Sequence, residues 1–348
     1  MSGNDSLDGG AGTDTKITGA TEKSIVDFPY KEADSRVGEA LPTRRQDMKI
    51  GANTSPAGVS GNLLLRLAAA LTMTALTALL YASAVWAETS IVTNTNDSGP
   101  GSLREALVRA NSMAGGDEIA FADGLGGTVL LGESAITDEA GLSVDGGGDV
   151  TVTGTFVVSR GAAFSLRNIT VSGGNSSSGG GIDNNGGTVE VSGSTFPDNH
   201  AADTGGGIAN FGTLIVSGST ICGNFGDFDG GGIYNEGGAV DVTNSTISGN
   251  DGGMFGGGGI LSYGGTMDVV NSTISGNISN GEEHCGGICG SGKTLRNTIV
   301  ANNEGGNCAG PTTDGGYNVD DDGTCGFTQA TGSLPNTDAP PRPRRPAR

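Results

Sequence analysis

Residues Thr213-Leu214-Ile215-Val216-Ser217-Gly218-Ser219-Thr220-Ile221-Cys222-Gly223-Asn224, followed by Gly230-Gly231-Gly232-Ile233-Tyr234-Asn235, decide the fold, because close copies of them recur on both sides. The threonine returns at Thr170, Thr195, Thr220, Thr246, Thr273 and Thr298, at spacings of 25, 25, 26, 27 and 25 residues. Gly-Gly-Ile keeps the same step, ending at Ile182, Ile208, Ile233, Ile260 and Ile288. A fixed period in this range marks stacked supersecondary units.

Within a unit the apolar residues alternate. Val189 and Val191, Leu214 and Val216, Val240 and Val242, Met267 and Val269 sit two apart, with Glu190, Ile215, Asp241 and Asp268 between them. That is the period of a strand with one buried face. A second short strand holds the Thr-Ile pair and a third starts at Gly-Gly-Ile. Three strands per unit, separated by Gly, Asn and Ser, predict a triangular coil whose strands pair in parallel with their equivalents about 4.8 Å above and below. The expected fold is all-β, a right-handed parallel β-helix.

Asn199, Asn224, Asn250, Asn277 and Asn302 lie four after the repeat threonine, and Asn184, Asn210 and Asn235 lie two after the isoleucine. Asparagine tolerates left-handed turn backbone, and its amide can bond the amide one coil away. These residues therefore read as turn ladders rather than a binding site. Asn168, Asn244 and Asn271 head Asn-x-Ser/Thr triplets, a glycosylation pattern, but their place in the repeat makes them turn-to-strand residues.

A solenoid grows in one dimension, so the 348 residues need form no more than one domain. The 66 glycines show no strict third-residue period, which excludes collagen. The net charge is −20, and residues 162–292 hold twelve acidic side chains against one basic, Arg167. Such a surface repels phosphate backbones and excludes nucleic acid as a partner.

Residues 1–61 are polar without either period and are expected to be a disordered or mis-assigned extension. Residues 62–87 carry an apolar run that ends Val85-Trp86-Ala87 before Glu88. Small residues at the third and first positions before a polar junction suit a signal peptidase, so secretion with cleavage after Ala87 is expected, a transmembrane anchor being the alternative. Met48-Lys49 is the expected start. Residues 88–125 are expected to cap the solenoid. There Ser102 and Glu105 form a capping box, and Leu103, Ala106, Leu107 and Ala110 one amphipathic helix laid across the open first coil. The β-helix is expected over 126–310, an end loop over 311–335 and a disordered Pro/Arg tail over 336–348.

The run Thr93-Asn94-Thr95-Asn96-Asp97-Ser98-Gly99-Pro100-Gly101-Ser102-Leu103-Arg104-Glu105-Ala106 resembles the N-terminal signature of a large group of secreted bacterial β-helix proteins. The units, with Gly-Gly-Gly-Ile and Phe196-Pro197-Asp198-Asn199, are similar to the repeats of chlamydial polymorphic outer-membrane proteins, Ile221, Ile247 and Ile274 replacing the phenylalanine. Asn307-Cys308, Gly315-Gly316-Tyr317-Asn318-Val319 and Gly323-Thr324-Cys325-Gly326 resemble the end region of the same secreted group. The resemblance implies a pectin-lyase-like solenoid with an adhesin or passenger role, placed outside the cell, at its surface or at the outer membrane. The mature protein is then not membrane-embedded. In such relatives an apolar continuation is expected after Asn336-Thr337-Asp338. The Pro/Arg tail found instead suggests a frame shift or truncation, a basic disordered tail being the alternative.

Five cysteines in an exported chain leave at least one unpaired. Cys308 and Cys325 enclose a Gly-, Asp- and Thr-rich loop where a disulfide would hold the solenoid's end. Cys285 and Cys289 flank Gly-Gly-Ile beside His284. Pairing them needs a bend at the glycines, and two Cys with one His are an incomplete zinc set. Cys222 stands where Ser248 and Ser275 stand in later coils and is expected to be a small packing residue.

For catalysis the best constellation is Asp241 with Asp268, equivalent positions on successive coils about 5 Å apart, a spacing that suits Ca²⁺ or a paired-carboxylate hydrolase. A lyase also needs a base, and no Lys or Arg occurs between Arg167 and Lys293. The Gly-His-Gly and Arg-Ile-Lys elements of polygalacturonases, which share this scaffold with pectate lyases, are missing. Neither His200 nor His284 has a partner readable from sequence. Asp320, Asp321 and Asp322, near Asp314 and Asn318, offer a calcium site or a solvated surface.

The expected function is a non-catalytic, structural or adhesin-like module that binds a wall or surface polysaccharide, or a protein, through one flank. It assigns no catalytic residue, metal or cofactor. The alternative is an extracellular polysaccharide lyase or glycoside hydrolase.

Overall fold

The computed structural model describes residues 87–113, 115–280 and 285–335; the segment before Ala87, with Met48 and the apolar run, His284 and the Pro/Arg tail lie outside them. The fold is a right-handed parallel β-helix in which strands pair in parallel from coil to coil. The first sheet has ten strands, from Thr89–Val92 to Thr312–Asp314. A second ladder holds the Thr-Ile strands, such as Thr195–Pro197 and Thr220–Cys222. A third holds the Gly-Gly-Ile strands, such as Ile208–Asn210 and Ile233–Glu236. The long strand Val150–Val158 joins the last two, pairing its first part with Thr170–Ser172 and its last part with Ile182–Asn184.

Side chains of one column stack directly. Phe196, Ile221, Ile247, Ile274 and Val300 are register partners in turn, and all five are fully buried. Burying each such side chain contributes about 1.5–3 kcal/mol, so the period of the sequence is the period of the core. The Gly-Gly-Ile element recurs for a steric reason. A Cβ on Gly207 would sit 2.6 Å from the Gly232 carbonyl oxygen and 3.1 Å from the Asn224 amide nitrogen.

The asparagines form the expected ladders. Asn199 Nδ2 donates to Asn224 Oδ1 at 3.0 Å, Asn224 to Asn250 at 2.8 Å and Asn250 to Asn277 at 2.9 Å, all buried. A second ladder joins Asn184, Asn210 and Asn235 at 2.7 and 2.8 Å. Asn168, Asn244 and Asn271 have φ of 51°, 51° and 52°, as turn-to-strand residues should.

Two expectations need correction. Between the second and third ladders lies a further sheet of three short strands, Asn175–Ser178, His200–Thr204 and Phe225–Gly226, so these coils have four extended segments rather than three. Stacking places the backbone groups of successive corners opposite one another, and they pair. The threonine column also slips at its end. Thr273 pairs with Ile299, not Thr298, and Asn277 bonds Asn303, not Asn302. Thr298 instead continues the buried serine column, its Oγ1 donating to the Arg296 carbonyl at 2.9 Å as Ser272 Oγ does to Val270 at 2.8 Å. The lumen decides this: Val300 must lie under Ile274, and a one-residue shift would turn it outward.

At the N-terminal end helix α1, Leu103–Ala110, buries Leu103, Ala106, Leu107 and Ala110. Ser102 Oγ accepts the Glu105 N–H at 3.2 Å, and the Glu105 carboxylate accepts from Gly101 N–H at 2.7 Å, one residue before the cap. At the other end the ladders run on through Thr312–Asp314, Val319–Asp320 and Leu334–Pro335, within the segment expected as an end loop. Cys308 is bonded to Cys325, and Cys285 to Cys289, whose Cα atoms are 5.8 Å apart because the chain bends at Gly286 and Gly287. That bond takes up both thiols of the zinc candidate. Cys222 is free and half-buried. No helix among the described residues is long and apolar enough to cross a membrane.

Candidate functional site

Alternation along the first sheet sends every second side chain out, and parallel register collects those side chains into columns. Asp241 and Asp268 are register partners in such a column, exposed, with no hydrogen bond or ion pair among the described residues. The residues beside them in the column are Ile215 and Thr294, so the column itself adds no third carboxylate or base to the pair.

The same column gains chemistry at the other end of the rod. Going back from Asp241 it runs through Ile215, Glu190, Ser165 and Ser143 to Glu118. The next outward column carries Asp145 and Arg167 as partners. Arg167 bonds Glu118 at 3.0 Å and lies 3.7 Å from an Asp145 oxygen, while Asn168 Nδ2 donates to Asp145 at 3.1 Å. The sole basic residue of the repeat block is therefore held by carboxylates from two earlier coils. Beside it lies a groove of about 460 Å³, floored by the small residues Gly116, Gly141 and Ala163 and edged by Glu118, Ser143, Ser165, Arg167 and Glu190. A smaller cavity of about 290 Å³ continues past Glu118 towards Asp123 and Asp149.

Chemically the groove offers a fixed guanidinium, flanking carboxylates and hydroxyls over several coils, a donor and acceptor set suited to a polyhydroxylated or charged chain. Sequence reasoning saw Arg167 only as a charge. Its partner Glu118 is 49 residues away and lies before the repeat, so the one available signal was the isolation of that cation.

The other candidates resolve differently. Asp320 is buried and accepts from Asn307 Nδ2 at 2.7 Å and Cys325 N–H at 2.8 Å. Asp322 accepts the Asn307 N–H at 2.9 Å, and Asp321 accepts from the Asn307 amide at 2.7 Å. Asp314 accepts from Asn318 Nδ2 and Ser333 Oγ, both at 2.8 Å. These carboxylates are consumed in closing the solenoid's end, which corrects the calcium reading. No group of three or more His, Cys, Asp or Glu side chains converges as a metal site among the described residues.

Lys293 is also internal: its Nζ donates to the carbonyls of Gly290 at 2.7 Å, Ala309 at 2.6 Å and Gly310 at 3.2 Å, and burial lowers it to about 8. His200 has the partners that the sequence did not reveal. Nε2 is 2.9 Å from Asp227, Nδ1 is 3.2 Å from Asn175, and the ring stacks on Phe225, so it stitches three coils together.

No family model and no curated protein matches the chain. Among solved structures, the crystal structure of pectate lyase Pel9A is similar over 68% of this chain and 70% of that one, with 12% identity and a TM-score of 0.33.

Proposed function

We propose that the protein is a secreted or cell-surface β-helix that binds a wall or surface polysaccharide without cleaving it, in a structural or adhesin-like role. The groove on the first sheet is its binding flank. One observation carries the reading: Arg167, the lone cation of an acidic block, is clamped beside an open groove whose rim carries carboxylates and hydroxyls. Binding is favoured over lysis at the groove by the state of the cation that lines it: Arg167 is neutralised by Glu118 and Asp145 and is not presented as a free base to a substrate.

The test is a glycan array and pull-down on insoluble wall polysaccharide, with polygalacturonate and Ca²⁺ assayed beside it. Removing one charge-assisted hydrogen bond costs about 1.5–3 kcal/mol, so Arg167→Ala is expected to weaken retention roughly 10- to 100-fold. Undiminished retention in Arg167→Ala sinks the proposed flank. Product release from polygalacturonate that Asp241→Asn abolishes would instead establish the lyase.

A further inference from the structure

A different face of the rod carries an array that the groove does not use. In the second ladder seven strands carry an outward threonine in one column: Thr128 and Thr151 extend the repeat's series, Thr170 to Thr273, to seven successive coils in unbroken register before Ile299 ends it. Six steps of about 4.8 Å make this column roughly 29 Å long. A parallel column two residues on, about 6.6 Å away, starts at exposed Leu130 and includes Thr153, Ser172, Ser248 and Ser275, with Pro197 and Cys222 between them.

Three properties separate these threonines from ordinary strand residues. Their hydroxyls have no hydrogen-bond partner among the described residues, whereas those of Ser194, Ser219, Ser245 and Ser272, one position earlier, each bond a backbone carbonyl at 2.7–2.9 Å. The column pair contains no charged residue and no aromatic ring, although the chain carries a net charge of −20. Both rims are left-handed turn residues with short side chains, such as Gly193, Gly218 and Asn244 on one side and Gly223, Gly249 and Gly276 on the other, where Asp198 places a carboxylate beside the face.

A dissolved ligand has no need of seven identical sites; a lattice does, because many weak contacts at fixed spacing add. A glycan would call for rings to stack on, or carboxylates and amides to bond paired hydroxyls, and the two columns themselves offer neither. Ordered water needs only hydroxyls on a repeat with methyl groups between them. Threonine supplies both from a side chain that is stiff at χ1 and mounted on a rigid sheet, so little entropy is lost on docking.

We propose that the threonine face binds ice, a function separate from the groove on the first sheet. The experiment measures thermal hysteresis and incorporation into a growing polycrystalline ice ball for the folded chain. Comparison is made with the double variant Thr220→Lys/Thr246→Lys, with Thr220→Val, and with Thr243→Lys on the first sheet as control. The chain is expected to show saturable hysteresis and to enter ice. The double variant should lose at least ten-fold in activity with its circular dichroism unchanged, Thr220→Val should lose less, and Thr243→Lys nothing. The proposal is overturned if the parent chain is excluded from ice, or if the double variant, still folded, matches it. Retention on a crystalline polysaccharide that the double variant loses, with no activity on ice, would assign the face to a polymer instead.

Discussion

The central coils, residues 188–280, and the closing coils, residues 293–335, solve the same problem by different chemistry. Each turn must satisfy buried backbone groups. In the centre one neutral side chain does so repeatedly: Asn224 Oδ1 accepts from the Asn199 backbone N–H at 2.9 Å and side-chain amide at 3.0 Å, while its Nδ2 donates to Phe196 O at 2.9 Å and Asn250 Oδ1 at 2.8 Å. In the closing coils the bond is handed on differently. The first ladder passes from Asn303 to Asn307 and then to the carboxylates of Asp320 and Asp321. The second reaches Ser262, whose register partner is Gly290, and Lys293 Nζ takes over the carbonyls there. A repeat can propagate an amide; stopping one takes ions and a disulfide, so acid, base and reductant act on the end rather than the middle.

The largest expected effect lies in the centre. Asn224→Leu strands two donors and two acceptors in a buried corner, at about 1–3 kcal/mol for each that finds no water. The expected loss is about 4 kcal/mol in urea denaturation or failure to fold. The comparison extends to the slipped register. Asn303→Leu should cost nearly as much, whereas exposed Asn302, at φ 61°, should accept Gly within about 0.5 kcal/mol. Equal losses at the two positions would refute the one-residue offset.

That offset marks the boundary of what the sequence reveals. The core columns were legible because a buried residue such as Ile247 has the same neighbours as Ile221 and Ile274. The helix cap was legible because Ser102 and Glu105 act locally. Thr298-Ile299-Val300 was not, since either phase of the alternation puts an apolar residue inside, and only the neighbouring coil selects one. Two features ran against residue type: Lys293, which reads as a surface cation and is buried, and Asp320, which reads as solvated and is enclosed. The groove joins Glu118 to Arg167 across coils that lie partly before the repeat, where no period guides the pairing.

The next effect belongs to the end alone. Cys308 and Cys325 are 17 residues apart, and closing a loop of that size stabilises by about 3 kcal/mol. In a solenoid that stability is local. Cys308→Ser/Cys325→Ser should therefore speed amide exchange over residues 293–335 and leave 188–280 as it was; acceleration spread evenly along the rod would show that the two regions unfold as one.

The smallest effect is the most specific, because two groups at the same end have opposite pH signatures. Burial pushes the Asp314 carboxyl up, but bonds from Thr331, the Thr328 N–H, Ser333 and the Gly316 N–H outweigh it and hold it at about 2, below its ordinary 3.8. Its contribution is complete above pH 3.8 and is lost as pH falls through about 2. Lys293 is lowered by burial from 10.5 to about 8, so between those values the unfolded chain binds the extra proton and stability rises with pH. Urea midpoints of the closing coils should thus fall below pH 3.8 in a way Asp314→Asn flattens. They should rise from pH 8 towards 10.5 in a way Lys293→Met removes, methionine being what Met267 already supplies one coil earlier. An alkaline rise that survives Lys293→Met would mean that the lysine's proton is not what separates the end from the uncharged ladders of the middle.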